Sequence, residues 1–286
     1  MKFGDQIPNS FDLSSLRLLG TVGEPINPEV WKWYYKVIGK EKCPIIDTWW
    51  QTETGGMMIS SLPGLETIPL KPGSGTLSIP GVEISVVDEF GTEVPPNTKG
   101  YLIIRNPWPG MLQTLWGDDE KYKTVYWSKY ADCYYAGDYA LKDEDGYFWI
   151  LGRADDVLKI AGHRIGTAEL ESCIVSNENV AESAVCGIPD EIKGDVIIAF
   201  VVLKENISTD KTILEKDLFN QIRNDIGAIA TPKKIYFVPK LPKTRSGKIM
   251  RRLLRSIGSG DNIGDTSTLD DISAVTEIQK IVEEKS

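Results

Sequence analysis

Lys248 is the side chain in this sequence best suited to chemistry on a phosphate. It ends the loop Pro-Lys-Thr-Arg-Ser-Gly-Lys that begins at Pro242, and proline, serine and glycine are typical turn residues. A lysine in a loop is more often a solvated charge than a catalytic group. When a carboxylate attacks a phosphate, however, negative charge grows on the oxygen atoms, and a positioned ammonium stabilises it. The loop therefore indicates a site for a phosphate-bearing ligand.

A second group of polar residues lies in the stretch Asp-Thr-Trp-Trp-Gln-Thr-Glu-Thr-Gly-Gly, which runs from Asp47 to Gly56. It follows a short apolar run that predicts a buried strand. Ligands of open α/β sheets bind where parallel strands end at their carboxyl edge, so carboxylates and hydroxyls are well placed here. The same residues also fit a plain turn with two tryptophans packed inward. The residues alone favour neither interpretation.

Asp138 and the stretch from Gly152 to Gly166 are further candidates. Asp138 ends the sequence Tyr-Tyr-Ala-Gly-Asp. An aspartate at a strand end can accept hydrogen bonds from the two hydroxyls of a ribose, although a turn-shaping aspartate is the commoner case. The later stretch holds Arg153, two adjacent carboxylates that begin at Asp155, and three glycines around a single histidine. This mixture predicts a solvated joint between two parts of the chain.

The elements before the joint are predicted to form a mixed α/β arrangement. A strand at Leu16 to Thr21, a helix capped by Asn27 and a strand at Pro44 to Asp47 give a β-α-β order, which is typical of a parallel sheet. From Gly73 to Arg105, short alternating stretches separated by turns predict a small antiparallel β-barrel or sheet. Residues 1–154 are thus expected to belong to one α/β domain.

Residues 155–286 are predicted to form a smaller α+β domain. The order along the chain is a helix capped by Thr167, two strands, a helix from Thr212 to Ile226 and a strand at Lys234 to Val238. Apolar residues after Lys248 then recur at helical spacing. The expected fold class is therefore α/β followed by α+β, in two domains.

Composition excludes several classes of protein. No apolar run is long enough to cross a membrane, and the first residues lack the layout of a signal peptide, so a cytoplasmic protein is expected. Four scattered cysteines are too few for a disulfide scaffold and lack metal-ligand spacing. The net charge is −9, yet nine lysines and arginines and no acid lie between Gly227 and Gly260, which leaves −18 on the rest of the chain. Nucleic-acid binding is therefore not expected, whereas a small phosphate-bearing ligand fits the local basic stretch.

Four of these stretches resemble, in order, the motifs of the acyl-adenylate-forming superfamily. From about Ser15 onward, the chain as a whole resembles the acetyl-CoA synthetases of that superfamily, which are AMP-forming acetate–CoA ligases. The four stretches are Thr48 to Gly56, Tyr135 to Asp138, Gly152 to Gly166 and Pro242 to Lys248. The resemblance covers the C-terminal half of such an enzyme, since the family's phosphate loop, rich in serine, threonine and glycine and ending in Pro-Lys-Gly, does not occur in the sequence. It implies the C-terminal part of the family's large domain, followed by the mobile C-terminal domain.

For the first domain, the resemblance implies a site for ATP and an acyl group. Glu53 is expected to hold the Mg²⁺ on ATP, and Thr52 to contact the acyl carboxylate and the α-phosphate. Val22 and Trp50 are expected to border the acyl pocket, where an indole leaves room for acetate or propionate but not for long chains. The implied ATP and AMP contacts are Gly23, Glu24, Pro25, Asp47, Thr48, Trp49, Gln51, Thr52, Arg153, Arg164 and, at the ribose, Asp138.

For the second domain, the resemblance implies that Lys248 bridges the acyl carboxylate and the α-phosphate. It also implies that partner enzymes acetylate and deacetylate this lysine, which removes and restores its charge. Rotation about the hinge residue Asp155 then admits CoA, to which Gly162 and Arg223 are assigned. The role of His163 stays open.

The resemblance also implies a structural divalent cation site after the hinge. In the family this site uses two backbone carbonyls and a side chain. Val175, Asn177 and Val180 align with it, and the amide oxygen of Asn177 suits Mg²⁺.

The implied activity is that of an AMP-forming acetate–CoA ligase, which converts acetate, ATP and CoA into acetyl-CoA, AMP and pyrophosphate through acetyl-adenylate. Two alternatives stay open. One is another short-chain acyl-CoA synthetase, such as a propionyl-CoA synthetase. The other is a chain that is inactive by itself, either a fragment or a split subunit that needs its N-terminal half as a partner.

Overall fold

The computed structural model describes residues 4–160, 163–190, 194–205 and 210–285. They divide into two compact units. One unit comprises residues 8–155, and the other extends from Asp156 to the C-terminus and includes residues 4–7. A single helical turn, α1 (Gln6–Asn9), comes first in the chain. No helix in these ranges is long and apolar enough to cross a membrane.

A three-stranded sheet in the first unit carries the Asp47 to Gly56 stretch. Its strands, in spatial order, are β1 (Leu19–Val22), β2 (Ile45–Trp49) and β3 (Ile59–Ser60). β1 and β2 are parallel, and β3 is antiparallel to β2. The crossover from β1 to β2 contains helix α2 (Pro28–Trp33), which Asn27 caps by accepting the Glu29 N–H, followed by a π-helical turn. The predicted β-α-β unit and its cap are confirmed.

A four-stranded antiparallel sheet follows in the same unit. Its strands, in spatial order, are β4 (Ile84–Val87), β5 (Lys99–Ile104), β6 (Tyr134–Lys142) and β7 (Phe148–Arg153). The predicted sheet is confirmed, but the predicted β-barrel is wrong, because the described residues leave the sheet open with β4 and β7 at its edges. Thr76 pairs with Phe148 and Ser78 pairs with Ile59, so this segment links β7 to the first sheet instead of closing the second.

Helix α3 (Asp119–Tyr126) precedes β6 and begins at the capping residue Asp118. Tyr126 and Trp127 pack against the buried ring of Tyr134. The aromatic face of this charged helix thus joins the core of the four-stranded sheet.

The second unit is built on a five-stranded sheet around a long central strand. The strands are β8 (Leu158–Ile160), β9 (His163–Ile165), β10 (Val180–Asp190), β11 (Gly194–Leu203) and β12 (Lys234–Phe237). β11 pairs with β10, β12 and β8, and β8 pairs with β9. The helices are α4 (Thr167–Val175), α5 (Lys211–Asp225), α6 (Arg251–Ser259) and α7 (Ile272–Lys285). The predicted α+β order is confirmed, whereas β8, β9 and α7 were not predicted.

Two local predictions for this unit are wrong. The stretch from Gly152 to Gly166 is not solvated throughout, because Leu158, Ile160 and Ile165 are buried side chains of strands β8 and β9. Gly166, in extended backbone, takes the capping position of α4, and Thr167 is the first helical residue. The first error concerns β8 and β9, whose three residues each show no periodicity, and the second displaces the cap of α4 by one residue.

Candidate functional site

The turn that follows β2 is held by its own side chains and by a neighbouring loop. The Thr54 hydroxyl donates to the Gln51 carbonyl at 2.8 Å and accepts the Gln51 N–H at 3.0 Å. Gly55 has a φ of +67°, and a Cβ atom there would lie 1.8 Å from the carbonyl oxygen of Gly110. Only glycine fits a left-handed position so close to another backbone segment. The turn therefore fixes Gln51 and its neighbours at the carboxyl end of β2.

Asp138, on β6, is the point at which two of the sequence motifs meet. One oxygen of its buried carboxylate, Oδ2, accepts from Trp49 Nε1 at 3.0 Å and from Gln51 Nε2 at 2.8 Å. Gln51 Nε2 also donates to the Ala136 carbonyl at 2.7 Å. The structure thus brings Trp49, Gln51 and Asp138 together, and the first two hold the third in place.

Arg153, at the end of β7, completes this group of charges. Its Nη1 donates to the Ala136 carbonyl at 3.0 Å and lies 3.6 Å from Asp138 Oδ1, while its Nε lies 3.4 Å from Asp155. Burial lowers the pKa of Arg153, but the charges of Asp138 and Asp155 outweigh burial and raise the pKa above its ordinary value. A Cβ atom at Gly137 would lie 2.4 Å from the guanidinium, so this glycine makes room for the arginine. Asp155 itself is exposed.

Asp47 is a buried carboxylate in the middle of β2. Its Oδ1 accepts a hydrogen bond of 2.8 Å from the hydroxyl of Thr21, the residue opposite it on β1. Burial disfavours the charged form more than this hydrogen bond favours it, and it raises the pKa of Asp47 to about 6. The next residue, Thr48, lies 3.0 Å from the hydroxyl of Ser60 on β3.

Glu53 and Thr52 lie in the turn after β2. Thr52 is exposed and Glu53 is half-buried. Glu53 Oε1 accepts the hydroxyl of Tyr126 at 2.7 Å. Within the described residues the other oxygen, Oε2, has no hydrogen-bond partner and no ion pair. A carboxylate with one anchored and one available oxygen suits a hard divalent cation.

The predicted acyl and adenine contacts lie at the carboxyl ends of β1 and β2. Val22 is paired with Thr48, so the residues that follow each strand share one edge of the sheet. Val22 is 59% exposed and Trp50 is 47% exposed. The loop Gly23-Glu24-Pro25 begins with a left-handed glycine, at a φ of +97°. The structure therefore places the predicted acyl and adenine residues at one edge of the sheet.

The loop of Lys248 is a tight turn tied to the rest of the second unit. The Thr244 N–H donates to the Lys248 carbonyl at 2.8 Å, and the Lys248 N–H donates to the Thr244 hydroxyl at 3.1 Å. Thr244 also pairs with Leu269 in the segment before α7. The Lys248 side chain is exposed, and no carboxylate in the part of the chain that the structure describes pairs with it.

Most of the basic side chains between Gly227 and Gly260 have partners within the second unit. The ion pairs are Lys240–Asp271, Lys243–Glu182, Arg251–Glu171 and Arg255–Asp156. Arg252 donates to two backbone carbonyls and Lys234 to one. Among the described residues, Arg245 and Lys248 in the loop and Lys233 just before β12 have no such partner. Six of the nine cations in the basic stretch therefore have partners inside the protein. In the Lys248 loop, Arg245 and Lys248 are the cations without such partners among the described residues, and we expect these two to contact a phosphate.

The residues that the resemblance connects with the second half-reaction lie on different elements of the second unit. Arg223 is exposed on α5, and His163 and Arg164 are exposed on β9. Gly162 lies outside the described residues.

The predicted structural cation site lies between α4 and β10. Val175 and Val180 are buried. Asn177 Oδ1 accepts the Asn179 N–H at 3.1 Å, and the Asn177 carbonyl accepts the Val180 N–H at 3.0 Å. In the described ranges, no three His, Cys, Asp or Glu side chains form a group that could hold a metal ion. Hydrogen bonds within the turn thus account for the position of Asn177, and the cation site stays a prediction.

An aromatic network around Glu53 was not predicted from the sequence. Tyr126 stacks on Tyr134 with ring centroids 5.5 Å apart and planes 4° from parallel. The Tyr134 hydroxyl donates to Gln51 Oε1 at 2.7 Å. The available signal was the pair Tyr122 and Tyr126, which are four residues apart and hence on one face of α3.

Two sequence models of one family match the chain. The AMP-binding enzyme model matches residues 2–116, and the model of the AMP-binding enzyme C-terminal domain matches residues 169–248. The first match contains the turn after β2, and the second ends at Lys248.

Curated relatives match almost the whole chain. It is 55% identical over 284 residues to an acetyl-coenzyme A synthetase of Pyrobaculum aerophilum. The aligned region covers 99% of this chain and 42% of that protein. It is 52% identical over 281 residues to an acetyl-coenzyme A synthetase of Chlorobaculum tepidum, with coverage of 98% and 42%. The chain thus spans less than half the length of these relatives.

Solved structures of similar proteins also match most of this chain and less than half of their own length. The anthranilate CoA ligase AuaEII in complex with anthranoyl-AMP matches with a TM-score of 0.77 and 32% identity, over 87% of this chain and 46% of that chain. An ATP-bound RpMatB-BxBclM chimera matches with a TM-score of 0.73 and 28% identity, over 84% and 45% of the two chains. With the two family models and the relatives that are 50–55% identical, these matches show that the chain belongs to the AMP-binding enzyme family and is similar to its acetyl-coenzyme A synthetases.

Proposed function

We propose that this chain supplies the adenylation lysine and part of the nucleotide site of an AMP-forming acetate–CoA ligase. The observation that carries the proposal is the meeting of two motifs at Asp138. Trp49 and Gln51, at the carboxyl edge of the first sheet, donate hydrogen bonds to its carboxylate. The identity of 55% to an acetyl-coenzyme A synthetase supports acetate as the acid.

In the first half-reaction, a carboxylate oxygen of acetate attacks the α-phosphorus of ATP, and pyrophosphate leaves. Asp138 accepts hydrogen bonds from the ribose hydroxyls, and Arg153 holds the nucleotide. Lys248 contacts the acetate carboxylate and the α-phosphate, where its charge opposes the negative charge that grows on the phosphate oxygens. Because the Lys248 ammonium is exposed and has no carboxylate partner in the described residues, it is available for this contact, and its acetylation would abolish the reaction.

In the second half-reaction, the thiol sulfur of CoA attacks the carbonyl carbon of acetyl-adenylate. AMP leaves, and the thiol proton passes to solvent. Arg164 and Arg223 are exposed cations that we assign to the AMP phosphate and to the nucleotide of CoA. We assign the change of domain orientation between the two half-reactions to Asp155, which is exposed where the two compact units adjoin in the sequence.

Glu53 fits a divalent cation bound together with ATP, because its Oε2 atom is available while Oε1 is anchored. A Mg²⁺ ion held there would neutralise negative charge on the pyrophosphate group. The role of this chain is to hold that carboxylate in place.

A propionyl-CoA synthetase is the second candidate, because an indole that borders the acyl pocket is expected to exclude long chains but not propionate. The turnover of acetate and propionate by a chimera separates the two functions. In the chimera, this chain replaces the matching region of the Pyrobaculum aerophilum relative. We expect acetyl-CoA formation that depends on acetate, ATP and CoA, with a higher kcat/KM for acetate than for propionate. A preference for propionate would favour the second candidate, and no acyl-CoA formation from either acid would contradict both.

A further inference from the structure

The carboxylate of Glu53 is fixed by one residue from a different element, Tyr126 of α3. The hydroxyl of Tyr126 donates to Glu53 Oε1 at 2.7 Å, across a sequence separation of 73 residues. The backbone of Glu53 is held separately, since its carbonyl accepts the Leu112 N–H at 2.8 Å. The side chain and the backbone of Glu53 therefore have independent anchors.

Tyr126 is itself rigidly placed. Its ring stacks on the buried ring of Tyr134, and Trp127 packs edge-on against the same ring at 5.7 Å. Its hydroxyl is the hydrogen-bond donor to the Glu53 carboxylate.

The same aromatic pair connects Glu53 to Asp138. Tyr134 donates to Gln51 Oε1 at 2.7 Å, and Gln51 Nε2 donates to Asp138 Oδ2 at 2.8 Å. The two carboxylates assigned to the cation and to the ribose thus belong to one chain of stacked rings and hydrogen bonds within the first unit.

We propose that Tyr126 is a positioning residue for Glu53, which holds Oε1 so that Oε2 faces a nucleotide-bound divalent cation. This inference rests on the proposed function of Glu53 and adds the residue that orients it. Carboxylates that bind metal ions are commonly hydrogen-bonded through the other oxygen, and loss of such a partner costs about 10–100-fold in metal affinity. The hydroxyl, not the ring, is the group that matters, because the ring contacts remain in phenylalanine.

The test is calorimetric titration of ATP into the full chain, once with Mg²⁺ and once with EDTA. The variants are Tyr126→Phe, Glu53→Gln and the matched control Tyr122→Phe. Tyr122 lies one turn earlier on α3, and its hydroxyl donates to the Leu112 carbonyl at 2.6 Å instead of to a carboxylate. Thermal unfolding of each variant verifies that it is folded.

We expect Tyr126→Phe to weaken the binding of Mg·ATP by about tenfold or more, and to leave the binding of metal-free ATP unchanged. Glu53→Gln should act in the same direction, and Tyr122→Phe should bind like the wild-type chain. Two results would overturn the role of Tyr126 and leave that of Glu53 intact. One is an equal loss of Mg·ATP affinity in Tyr122→Phe and Tyr126→Phe. The other is wild-type affinity in Tyr126→Phe together with reduced affinity in Glu53→Gln. If the wild-type chain bound no ATP under either condition, the proposed nucleotide site would be wrong and this inference with it.

Discussion

Asp47 is a carboxylate whose burial links the stability of the first unit to pH. Its pKa is raised to about 6 by burial, while an aspartate in an unfolded chain has a pKa near 3.9. The folded state therefore binds more protons than the unfolded state between these values, and stability falls as the pH rises through about 6. A difference of about two pKa units corresponds to about 3 kcal/mol of unfolding free energy.

We expect Asp47→Asn to remove this fall in stability, because the amide oxygen can still accept the Thr21 hydroxyl and carries no charge. Urea unfolding of the wild-type chain and the variant at several pH values from 4 to 7 measures the difference. The unfolding free energy of Asp47→Asn minus that of the wild-type chain should increase steadily as the pH rises. A gap that is constant with pH would show that Asp47 titrates normally.

Trp50 is the residue that we propose limits the size of the acyl pocket. If its exposed indole limits the acyl pocket, Trp50→Gly should raise the kcat/KM of the chimera for butyrate relative to acetate. Each buried methylene contributes about 0.8 kcal/mol, so two methylenes give about a tenfold change. Trp116→Gly is a matched control, since Trp116 is fully exposed in the same unit. An unchanged butyrate-to-acetate ratio in Trp50→Gly would remove Trp50 from the acyl pocket.

At the scale of elements, α6 is attached to the second unit by two ion pairs of different burial. Arg251 binds Glu171 through two hydrogen bonds of 3.0 and 2.8 Å, and both side chains are at most 15% exposed. Arg255, one turn later, lies 3.3 Å from Asp156 and is 41% exposed. The helix follows directly after the Lys248 loop, so the buried pair fixes the base of that loop.

We expect Arg251→Gln to lower the unfolding free energy of the chain by about 3 kcal/mol, because Glu171 would keep a buried charge without its partner. Arg255→Gln should cost about 1 kcal/mol or less, as is usual for exposed pairs. Chemical denaturation of both variants gives the comparison. Similar losses in the two variants would mean that burial does not decide the strength of these pairs.

The turn after β2 depends on a close approach between two backbone segments at Gly55. Gly55→Ala should lower the unfolding free energy by about 1–3 kcal/mol more than Gly81→Ala does, because the new methyl group would collide with the Gly110 carbonyl. Gly81 also has a positive φ, of +87°, but a methyl group there would meet nothing within 4 Å. Thermal unfolding of both variants measures this difference. Equal losses would show that the Gly110 loop moves away at little cost.

Elements with a clear period or cap could be predicted from the sequence. Asn27 predicted the start of α2, and the alternating stretches between Gly73 and Arg105 predicted β4 and β5. The barrel was predicted wrongly because closure depends on what pairs with the edge of β7, and the Thr76–Phe148 pairing joins residues 72 positions apart. Strands as short as β8 and β9 carry no periodic signal.

At the scale of the molecule, the chain consists of two compact units, each with its own core. The core of the second unit includes Phe200, Tyr236, Leu253, Leu254 and Ile278, which are at most 4% exposed. We expect a chain from Asp156 to Ser286 to fold alone and to unfold in one cooperative urea transition that near-ultraviolet circular dichroism also reports. Loss of the near-ultraviolet signal without denaturant would mean that this unit needs the first.

The candidate site was predicted from the sequence only in part. The motifs identified Asp138, Gln51 and Glu53, and the structure joins the first two by a hydrogen bond. Tyr126 was not predicted, because its contact with Glu53 arises from the packing of α3 on the sheet and not from a motif. Likewise, charge counting indicated a basic stretch, but only the structure shows which cations have internal partners.

Lys248 is proposed to carry the adenylation step, and acetate-dependent exchange of pyrophosphate into ATP by the chimera tests this role most directly. Lys248→Gln is compared with Lys243→Gln, which removes a lysine of the same loop that is already paired with Glu182 at 2.6 Å. We predict that Lys248→Gln lowers exchange by about 100-fold or more, whereas Lys243→Gln leaves it near the wild-type rate. Loss of less than about tenfold in Lys248→Gln, or equal losses in both variants, would contradict the account.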